Sequence, residues 1–445
     1  MLDLSMFTTD AMIAATDDAA TLNAMLAFEA ALATAQSETG VIPREVAPII
    51  CSHCLATHYD ARALGRAARN TATIAIPLIK ALTKRVADQD KSAAGWVHWG
   101  ATSQDVVDTG LVLQLRQAGG FLLTDVQRLG DQLAGLAEAH IKTPVLARTL
   151  LQPGPPTTFG LKAAGWLGSL SRVRLSLSRA LEDMRVLQLG GAVGTLASLG
   201  EHAGPVTKRV ADMLGLKVPD APWHSDRTRL VALATAIGML IQSLGKMGGD
   251  IALMMQFELR ELSERPVEGR GGSSTMPHKK NPVGPIIARA ASEKAPGLVT
   301  GLMTASGYEF ERGVGGWQNE RTLILQLVQL AAGSLDQMVG TVGRLEINDE
   351  RMLHNIGETG GVVQAEAIML DLGAEIGRAK AHEIISALVP GELAEFANRL
   401  KNDDRVNKHL DEKRIDALLN PQSYLGQSET FVDALVKTWQ DPDNK

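Results

Sequence analysis

The sequence predicts an all-α protein built around a long central five-helix bundle. Aromatic residues are only 4% of the chain, and the apolar content is mainly Leu, Ala, Val, Ile and Met, which favours helices over strands. Apolar residues also recur at helical spacing over unusually long segments. Glycine, proline and polar residues separate these segments and predict the breaks between helices.

Composition narrows the class of protein. At 445 residues the chain has room for two or three domains and a large core. Its 44 Lys and Arg against 50 Asp and Glu give a net charge of −6, which does not suggest nucleic-acid binding. The chain has no run of about 18 apolar residues, so we expect no membrane span. Its first residues lack the positive region of a secretory signal, and we expect a cytoplasmic enzyme.

Residues 1–103 are expected to form an amino-terminal helical domain. Helical apolar runs such as LNAMLAFEAALATAQ alternate there with turn-like breaks such as GVIP. The two cysteines, Cys51 and Cys54, flank His53 in a CSHC segment. These side chains could contact a metal, but no second pair completes a four-ligand site. We therefore expect two reduced thiols on consecutive turns of a helix.

Residues 104–345 are expected to form the central bundle domain, with a mobile loop at 263–283. The predicted long helices cover residues 105–138, 157–187, 230–255, 283–303 and 319–343. In 230–255 two heptad rows are entirely apolar: Leu230, Ile237, Leu244 and Ile251, and Leu233, Leu240, Met247 and Met254. A helix of 30 residues is about 45 Å long, more than a compact monomer needs. This length predicts an oligomer.

Three glycines, Gly245, Gly248 and Gly249, lie beside this heptad seam. Because glycine costs helix stability, they indicate either close backbone packing in a multi-helix or multi-subunit core or simple helix irregularity. After residue 345 the helical segments become shorter. Residues 346–445 are therefore expected to form a carboxy-terminal helical domain.

Four polar segments interrupt the helical pattern. The first, HWGATSQDVVDT at 98–109, comes just before the first long helix. Helix amino termini bind anions, so Thr102 and Ser103 could hold a substrate carboxylate there, with Asp105 in the first turn. The same Thr-Ser pair could instead be an ordinary helix cap.

The second segment, RTLLQPGPPTTFGLK at 148–162, contains three prolines that exclude a helix. Thr157 is expected to cap the helix that follows. Gln152, Thr158 and Lys162 could face a ligand, or the segment could be a proline-rich connector.

The third segment, GGSSTMPHKKNP at 271–282, carries the most polar chemistry. Several cations fall within a dozen residues, namely Arg270, His278, Lys279 and Lys280, and glycine N–H groups beside them can approach an anion closely. The spacing is not that of a P-loop, and no strand precedes it as in a dinucleotide-binding fingerprint. The alternative is a solvated loop. We expect residues 265–280 to be mobile without ligand because they are rich in glycine and charge.

The fourth segment, YEFERGVGGWQNER at 308–321, is the least informative alone. It offers Arg312 and Asn319 as candidate ligand contacts and Trp317 as an apolar wall.

Together these segments resemble the fumarase/aspartase superfamily, which includes argininosuccinate lyase and adenylosuccinate lyase. GSSTMPHKKNP is similar to that family's GSSxMPxKxNP motif, and the first two segments resemble its first and second conserved regions. Order and spacing match as well, so the resemblance covers essentially the whole chain. GATSQDVVDTGLVLQLR, TFGLKAAGW and ERGVGGW most resemble the 3-carboxy-cis,cis-muconate cycloisomerase branch.

The resemblance implies a three-domain, almost entirely α-helical protomer. Its bundle would join three others in a homotetramer with a twenty-helix core, and each active site would combine segments from three subunits. The implied partner is a small-molecule tricarboxylate, with no nucleic acid and no membrane. No metal and no organic cofactor is implied.

Motif position implies the catalytic roles. Ser273 is the expected base, activated as an alkoxide on loop closure by backbone N–H groups and Lys279. His98 matches a pocket histidine that either transfers a proton or orients substrate. The expected substrate contacts are Thr102, Ser103, Gln152, Thr158, Ser274, His278, Lys279, Asn281 and Arg312.

The implied reaction converts 3-carboxy-cis,cis-muconate to carboxymuconolactone, a step of protocatechuate breakdown. One substrate carboxylate adds to the alkene, electrons move into the neighbouring carboxylate as an aci form, and Ser273 returns a proton to carbon. Stabilising that dianion requires pre-positioned cations and N–H donors.

Two departures from the family pattern bear on the substrate. Adenylosuccinate lyases carry a proton-transferring histidine in RTHxQP where this chain has Leu150, whereas the cycloisomerases carry an apolar residue there. A lyase releasing fumarate from adenylosuccinate or another substituted succinate is thus the alternative. A non-catalytic scaffold, as in lens crystallins, is disfavoured by Ser273, Lys279 and Asn281. QNER at 318–321 differs from the Q/HAEW that is more typical of the cycloisomerases. The substrate contact that the family makes at this segment is therefore not assigned to residues of this chain.

Overall fold

A computed structural model of the chain describes residues 2–441 and confirms the all-α prediction. Seven helices precede the bundle: α1 Leu2–Ser5, α2 Asp10–Thr16, α3 Asp18–Glu38, α4 Val46–Ser52, α5 Ala61–Ala68, α6 Ala75–Gln89 and α7 Lys91–Ala94. The middle of the chain holds α8 Ser103–Ala139, α9 Phe159–Met184, α10 Ala203–Leu214, α11 Thr228–Met255, α12 Val283–Ala305 and α13 Gly316–Val342. Shorter helices follow: α14 Asp349–Gly357, α15 Ala365–Ile376, α16 Arg378–Leu388, α17 Phe396–Lys401, α18 Asp404–Asn407, α19 Glu412–Leu419 and α20 Ser428–Gln440.

All five predicted long helices are present, as α8, α9, α11, α12 and α13. In α11 the eight heptad residues are all buried, which confirms the predicted seam. A Cβ added at Gly248 would lie 3.1 Å from the carbonyl oxygen of Pro285 in α12, so close packing of two helices explains this glycine. At Gly249 the nearest atom to such a Cβ is Arg289 Cδ at 3.9 Å, so packing does not require that glycine.

The chain divides into two compact units. The first comprises Met1–Asp125, Val173–Leu244 and Ala290–Asp336, and the second comprises Val126–Arg172, Gly245–Arg289 and Gln337–Lys445. Each boundary within the bundle falls inside one of the five long helices. The division into domains at residues 103 and 345 stays a prediction, as does the twenty-helix tetramer core.

Two short antiparallel two-stranded sheets belong to the second unit, and only the first is a hairpin. Strand β1 Pro144–Thr149 pairs with β2 Gln152–Thr158, and β3 Leu262–Glu264 pairs with β4 Leu345–Ile347. The prolines of β2 exclude a helix as expected, and a two-stranded sheet tolerates them because both strands are edges. The prediction that Thr157 caps α9 was wrong by one residue, because Thr158 Oγ1 accepts the Leu161 N–H at 3.0 Å.

The cysteines differ in part from expectation. Both are free thiols, but α4 ends at Ser52, so only Cys51 is helical and Cys54 lies in the turn beyond. Cys54 Sγ is directed to the Ile50 carbonyl at 3.4 Å, and burial raises the pKa of this thiol. Within residues 2–441 no three or more His, Cys, Asp or Glu side chains cluster as metal ligands.

Two bundle helices each contain a long apolar window. By length and composition alone, α11 and α13 could cross a membrane. In each, 61% of the most apolar window is buried inside the protein, which is also typical of core helices. The burial therefore agrees with the bundle role that the sequence predicts for both helices.

Candidate functional site

The amino terminus of α8 carries the first group of predicted site residues, in the first unit. Thr102 is the cap residue and Ser103 the first helical residue, and both are half-buried, whereas Gln104 to Gly110 are buried. Thr102 N–H donates to Asp105 Oδ2 at 3.0 Å, which is one half of a capping box. The two hydroxyl groups thus lie at the accessible end of a 37-residue helix, whose amino terminus attracts anions.

Asp105 organises the backbone around this helix end. Its side chain is fully buried and accepts the N–H groups of Gly190 and Gly191, each at 3.0 Å, while His224 Nε2 lies 2.7 Å from Oδ1. Gly191 has φ +67°, and an added Cβ would lie 2.9 Å from the Gly100 carbonyl oxygen. Glycine is therefore required for residues 190–191 to approach the segment before α8.

His98 is held by a buried carboxylate. Its Nδ1 lies 2.6 Å from Glu29 Oε1 of α3, and Glu29 is 1% exposed. Burial alone would lower the pKa of His98, but the charge and hydrogen bond of Glu29, with a smaller effect of Asp105, raise it overall. His98 also has φ +58°, an uncommon conformation for a residue other than glycine. The Glu29 contact fixes the ring and leaves Nε2 as the nitrogen for exchange with a ligand.

Arg312 reaches the same helix end but is bound to protein groups. Its Nη1 donates to Gln104 Oε1 at 3.2 Å, and its Nη2 donates to the carbonyls of Gly191 and Ala192 at 2.8 and 2.9 Å. Burial lowers the pKa of Arg312, although Asp105 and Asp108 oppose this change. In this structure Arg312 fixes residues 190–192 against α8, and its contact with a substrate stays a prediction.

A buried cluster of charged side chains packs beside the amino-terminal turns of α8. Arg227 pairs with Asp108 at 2.7 Å and with Glu320 at 2.8 Å, and all three side chains are at most 2% exposed. Trp317 Nε1 donates to Asp108 Oδ1 at 3.0 Å. Burial raises the pKa of Glu320, against the opposing effect of Arg227. The cluster joins α8, the start of α11 and α13 within the first unit.

The second unit carries the other predicted residues on the loop at 265–282. Residues 262–264 belong to β3, so the loop is shorter than the predicted 263–283. Asn281 N–H donates to the Gly271 carbonyl at 2.8 Å, which closes residues 271–281 into one loop. Gly271 has φ +72°, and an added Cβ would lie 2.8 Å from the Asn281 carbonyl oxygen, so this closure requires glycine.

Within the closed loop, Ser273 Oγ accepts hydrogen bonds from two backbone N–H groups. Its Oγ accepts N–H groups from Met276 at 3.1 Å and, more weakly, from Thr275 at 3.4 Å. Ser273 and Asn281 are half-buried, whereas Ser274, His278 and Lys279 are exposed. The loop therefore offers a shielded hydroxyl with two N–H donors beside several exposed polar groups.

The hairpin at 144–158 separates Gln152 from Thr158. They are the first and last residues of β2, about 20 Å apart for an extended strand, so a single small molecule does not contact both on the same hairpin. Gln152 is exposed near the tip, whereas Thr158 is buried as the cap of α9. Leu150 and Leu151 form the tip with φ +52° and +64° and are 96% and 72% exposed. Arg148, at the base of the tip, pairs with buried Glu261 at 2.7 Å.

The structure thus groups the predicted residues into two sets. His98, Thr102, Ser103 and Arg312 surround the start of α8 in the first unit, and the loop residues with Gln152 belong to the second. Sequence reasoning missed Glu29, His224 and Arg227. Glu29 had a signal, since it is a lone carboxylate in the apolar run LNAMLAFEAALATAQ. His224 and Arg227 had none, because the carboxylates that they contact are 93 to 119 residues distant in sequence.

Comparisons with known proteins identify families and relatives that this chain resembles. A family model described as Lyase matches residues 6–297, and one described as Adenylosuccinate lyase C-terminus matches residues 361–435. A 3-carboxy-cis,cis-muconate cycloisomerase of Pseudomonas aeruginosa is 45% identical over 425 residues, covering 95% of this chain and 93% of the relative. A nitrosuccinate lyase of Streptomyces davaonensis is 36% identical, covering 95% and 91%. The crystal structure of 3-carboxy-cis,cis-muconate lactonizing enzyme from Pseudomonas putida matches with a TM-score of 0.94 and 40% identity, covering 99% of both chains.

Proposed function

Because the chain belongs to the lyase family of the fumarase/aspartase superfamily, we propose that it is a 3-carboxy-cis,cis-muconate cycloisomerase. The observation that carries the proposal is the closure between Gly271 and Asn281, which holds Ser273, Lys279 and Asn281 in one loop. This set provides a proton-transfer hydroxyl, a cation and an amide within a dozen residues. The relatives named for cycloisomerisation support the choice of reaction.

The chemistry needs no external nucleophile. One carboxylate of the substrate adds to the alkene carbon beta to another carboxylate and forms the new C–O bond of the lactone. The alkene electrons move into that second carboxylate and give the aci dianion. Protonation of the alpha carbon then restores the carboxylate, so the conversion of a trianion to a lactone dianion takes up one proton.

Ser273 is the proton donor to carbon in this direction and the base in reverse. The N–H groups of Thr275 and Met276 stabilise negative charge on Oγ and lower the cost of forming an alkoxide. Solvent then reprotonates the alkoxide between turnovers. Loss of a hydrogen-bond donor that stabilises the aci dianion typically lowers the rate about 100- to 1000-fold.

The carboxylates of the substrate require cations and N–H donors. Lys279 and Asn281 bind one carboxylate from the loop, and Thr102 and Ser103 bind another at the start of α8. His98, whose pKa is raised, keeps a larger imidazolium fraction near neutral pH, which suits it to hold a carboxylate or to deliver a proton. Gln152, Ser274 and His278 are exposed polar groups that complete the proposed contacts.

The active enzyme is proposed to be a cytoplasmic homotetramer whose active sites each combine segments of three subunits. The five long helices support this assembly, because helices of 23 to 37 residues are longer than the diameter of a small compact domain. Exposed apolar residues at the hairpin tip, Leu150 and Leu151, also support burial against another subunit.

The test is a spectrophotometric assay with 3-carboxy-cis,cis-muconate. Loss of the conjugated diene should lower the ultraviolet absorbance, and in D2O the lactone should carry one deuterium alpha to a carboxylate. Adenylosuccinate and a panel of substituted succinates are tested in parallel for fumarate release. Fumarate release without lactone formation would replace this proposal with the lyase alternative.

A further inference from the structure

A cavity of about 450 Å³ in the first unit contains a cation that the proposed mechanism does not use. Its walls come from residues 16–21, 68–74, 107 and 317–325. We name it the Arg321 cavity, since among its described lining residues Arg321 is the basic one. Its volume is within the range typical of small-molecule sites.

Arg321 is incompletely paired. Its Nη2 donates to Thr21 Oγ1 and to Gln114 Oε1, each at 2.6 Å, whereas its buried Nη1 has no hydrogen-bond partner in the protein. Among residues 2–441 no carboxylate forms a salt bridge with it. Burial lowers the pKa of Arg321 to about 10, against the weaker effects of Asp18 and Asp108. The guanidinium therefore stays charged at neutral pH without a counterion.

A shielded charge without a counterion is costly, so the site gains free energy from an anion. The planar guanidinium matches a carboxylate through paired N–H donors. Part of the wall is apolar, with Ile74, Val107 and Leu325, and suits the hydrocarbon part of a carboxylic acid. Four threonines and Gln318 provide polar groups in the rest of the wall. Asp18 is the acidic lining residue, and it is exposed and unpaired with Arg321, so it weakens anion binding without blocking it.

The Arg321 cavity begins close to the proposed carboxylate site at the start of α8. Val107, in its wall, follows Ser103 by four residues, so both side chains lie on one face of α8, about 6 Å apart along the axis. Trp317, also in the wall, is fixed by its hydrogen bond to Asp108. A molecule with several carboxylates on a short carbon chain can therefore span Ser103 and the cavity.

We propose that the Arg321 cavity is a carboxylate-binding subsite, in which Arg321 holds a carboxylate of the substrate that takes no part in bond making. The identity of that substrate rests on the proposed function, but binding of a carboxylate does not. Arg321 is in this sense a specificity residue, since it recognises a group remote from the reacting carbons.

Calorimetric titration of the full-length protein tests binding directly, with propane-1,2,3-tricarboxylate as the probe. Arg321→Gln should weaken its affinity at least tenfold, because the charge-assisted hydrogen bonds from the guanidinium to the carboxylate are lost. Arg209→Gln, which removes an exposed arginine of the same unit that pairs with Glu38, is the matched control and should keep the affinity. Unchanged affinity in Arg321→Gln, or binding of inorganic phosphate in place of the tricarboxylate, overturns the proposal.

Two further variants guard against misfolding and misassignment. Arg321→Gln removes a hydrogen-bond donor to Thr21 and to Gln114, so thermal unfolding is measured first. If that variant does not fold, Arg321→Lys is tested instead. Its affinity for the tricarboxylate should fall several-fold, because lysine lacks the planar guanidinium group. Asp18→Asn should bind the tricarboxylate equally or more tightly. Loss of binding in Asp18→Asn would contradict an anion site.

Kinetics connect the subsite to turnover. With 3-carboxy-cis,cis-muconate, Arg321→Gln should raise KM about tenfold or more with little change in kcat, the result of losing uniform binding. A drop in kcat at unchanged KM would contradict the subsite. Failure of the wild-type protein to turn over this substrate removes the proposed function while the calorimetric result still decides the subsite.

Discussion

At the residue scale, the environment of Ser273 supports its assignment as the proton-transfer group. Its Oγ accepts two backbone N–H groups. We expect Ser273→Ala to lower kcat/KM by about 10²- to 10⁴-fold, because proton transfer by a positioned side chain contributes that much. Thr275→Ala is the matched control, since it keeps its backbone N–H. Wild-type turnover by a folded Ser273→Ala protein would eliminate Ser273 as the acid and base.

His98 gives a pH-dependent prediction. Its folded-state pKa is raised above the ordinary 6.5, so its protonation stabilises the fold fully below 6.5, and this contribution is lost as pH rises through the raised value. Glu29→Gln removes the charge responsible and should lower the pKa of His98. The stability advantage of the wild-type protein over the variant should therefore shrink across that window.

The measurement is an NMR titration of His98 together with urea unfolding at several pH values. Glu45→Gln, which alters an exposed carboxylate of the same region, should leave the titration of His98 unchanged. An identical His98 titration curve in Glu29→Gln and wild-type protein would show that Glu29 does not set its pKa.

At the element scale, the loop at 271–281 depends on one close backbone approach. Gly271→Ala places a Cβ against the Asn281 carbonyl oxygen in a conformation with positive φ, a strain of about 1–3 kcal/mol. We expect kcat/KM to fall, because Ser273 and Asn281 are no longer held in their relative positions. The thermal midpoint should change little, because most of this loop is exposed. Gly272→Ala is the adjacent control, since nothing lies within 4 Å of its Cβ position. Equal kinetics in both variants would contradict a positional role for the closure.

Local sequence was enough to predict the long helices but not the pairing of the strands. In α11 all eight heptad residues face the interior, so the period alone located the helix. The prolines between residues 153 and 156 excluded a helix, but the pairing of β1 with β2 depends on register between strands, which local composition does not encode.

At the scale of the whole molecule, assembly is the main prediction. Four chains of 47.4 kDa give about 190 kDa, which light scattering after gel filtration measures directly.

A complementation experiment tests whether active sites are shared between subunits. The variants Ser273→Ala and His98→Gln should each have severely reduced activity when assayed alone. If one active site takes these residues from different subunits, tetramers that contain both variants regain up to about a quarter of the wild-type sites. Absence of recovery after verified subunit exchange would contradict shared active sites.

Local sequence patterns were sufficient to predict the helical class, the five long helices and the loop that carries Ser273, Lys279 and Asn281. These features are local, because heptad spacing and a short motif each lie within one continuous segment. Only the tertiary structure revealed the contacts of His98 with Glu29, of Asp105 with Gly190 and Gly191, and the unpaired Nη1 of Arg321. Such features depend on burial and on partners distant in the chain, and these arise only when the helices pack.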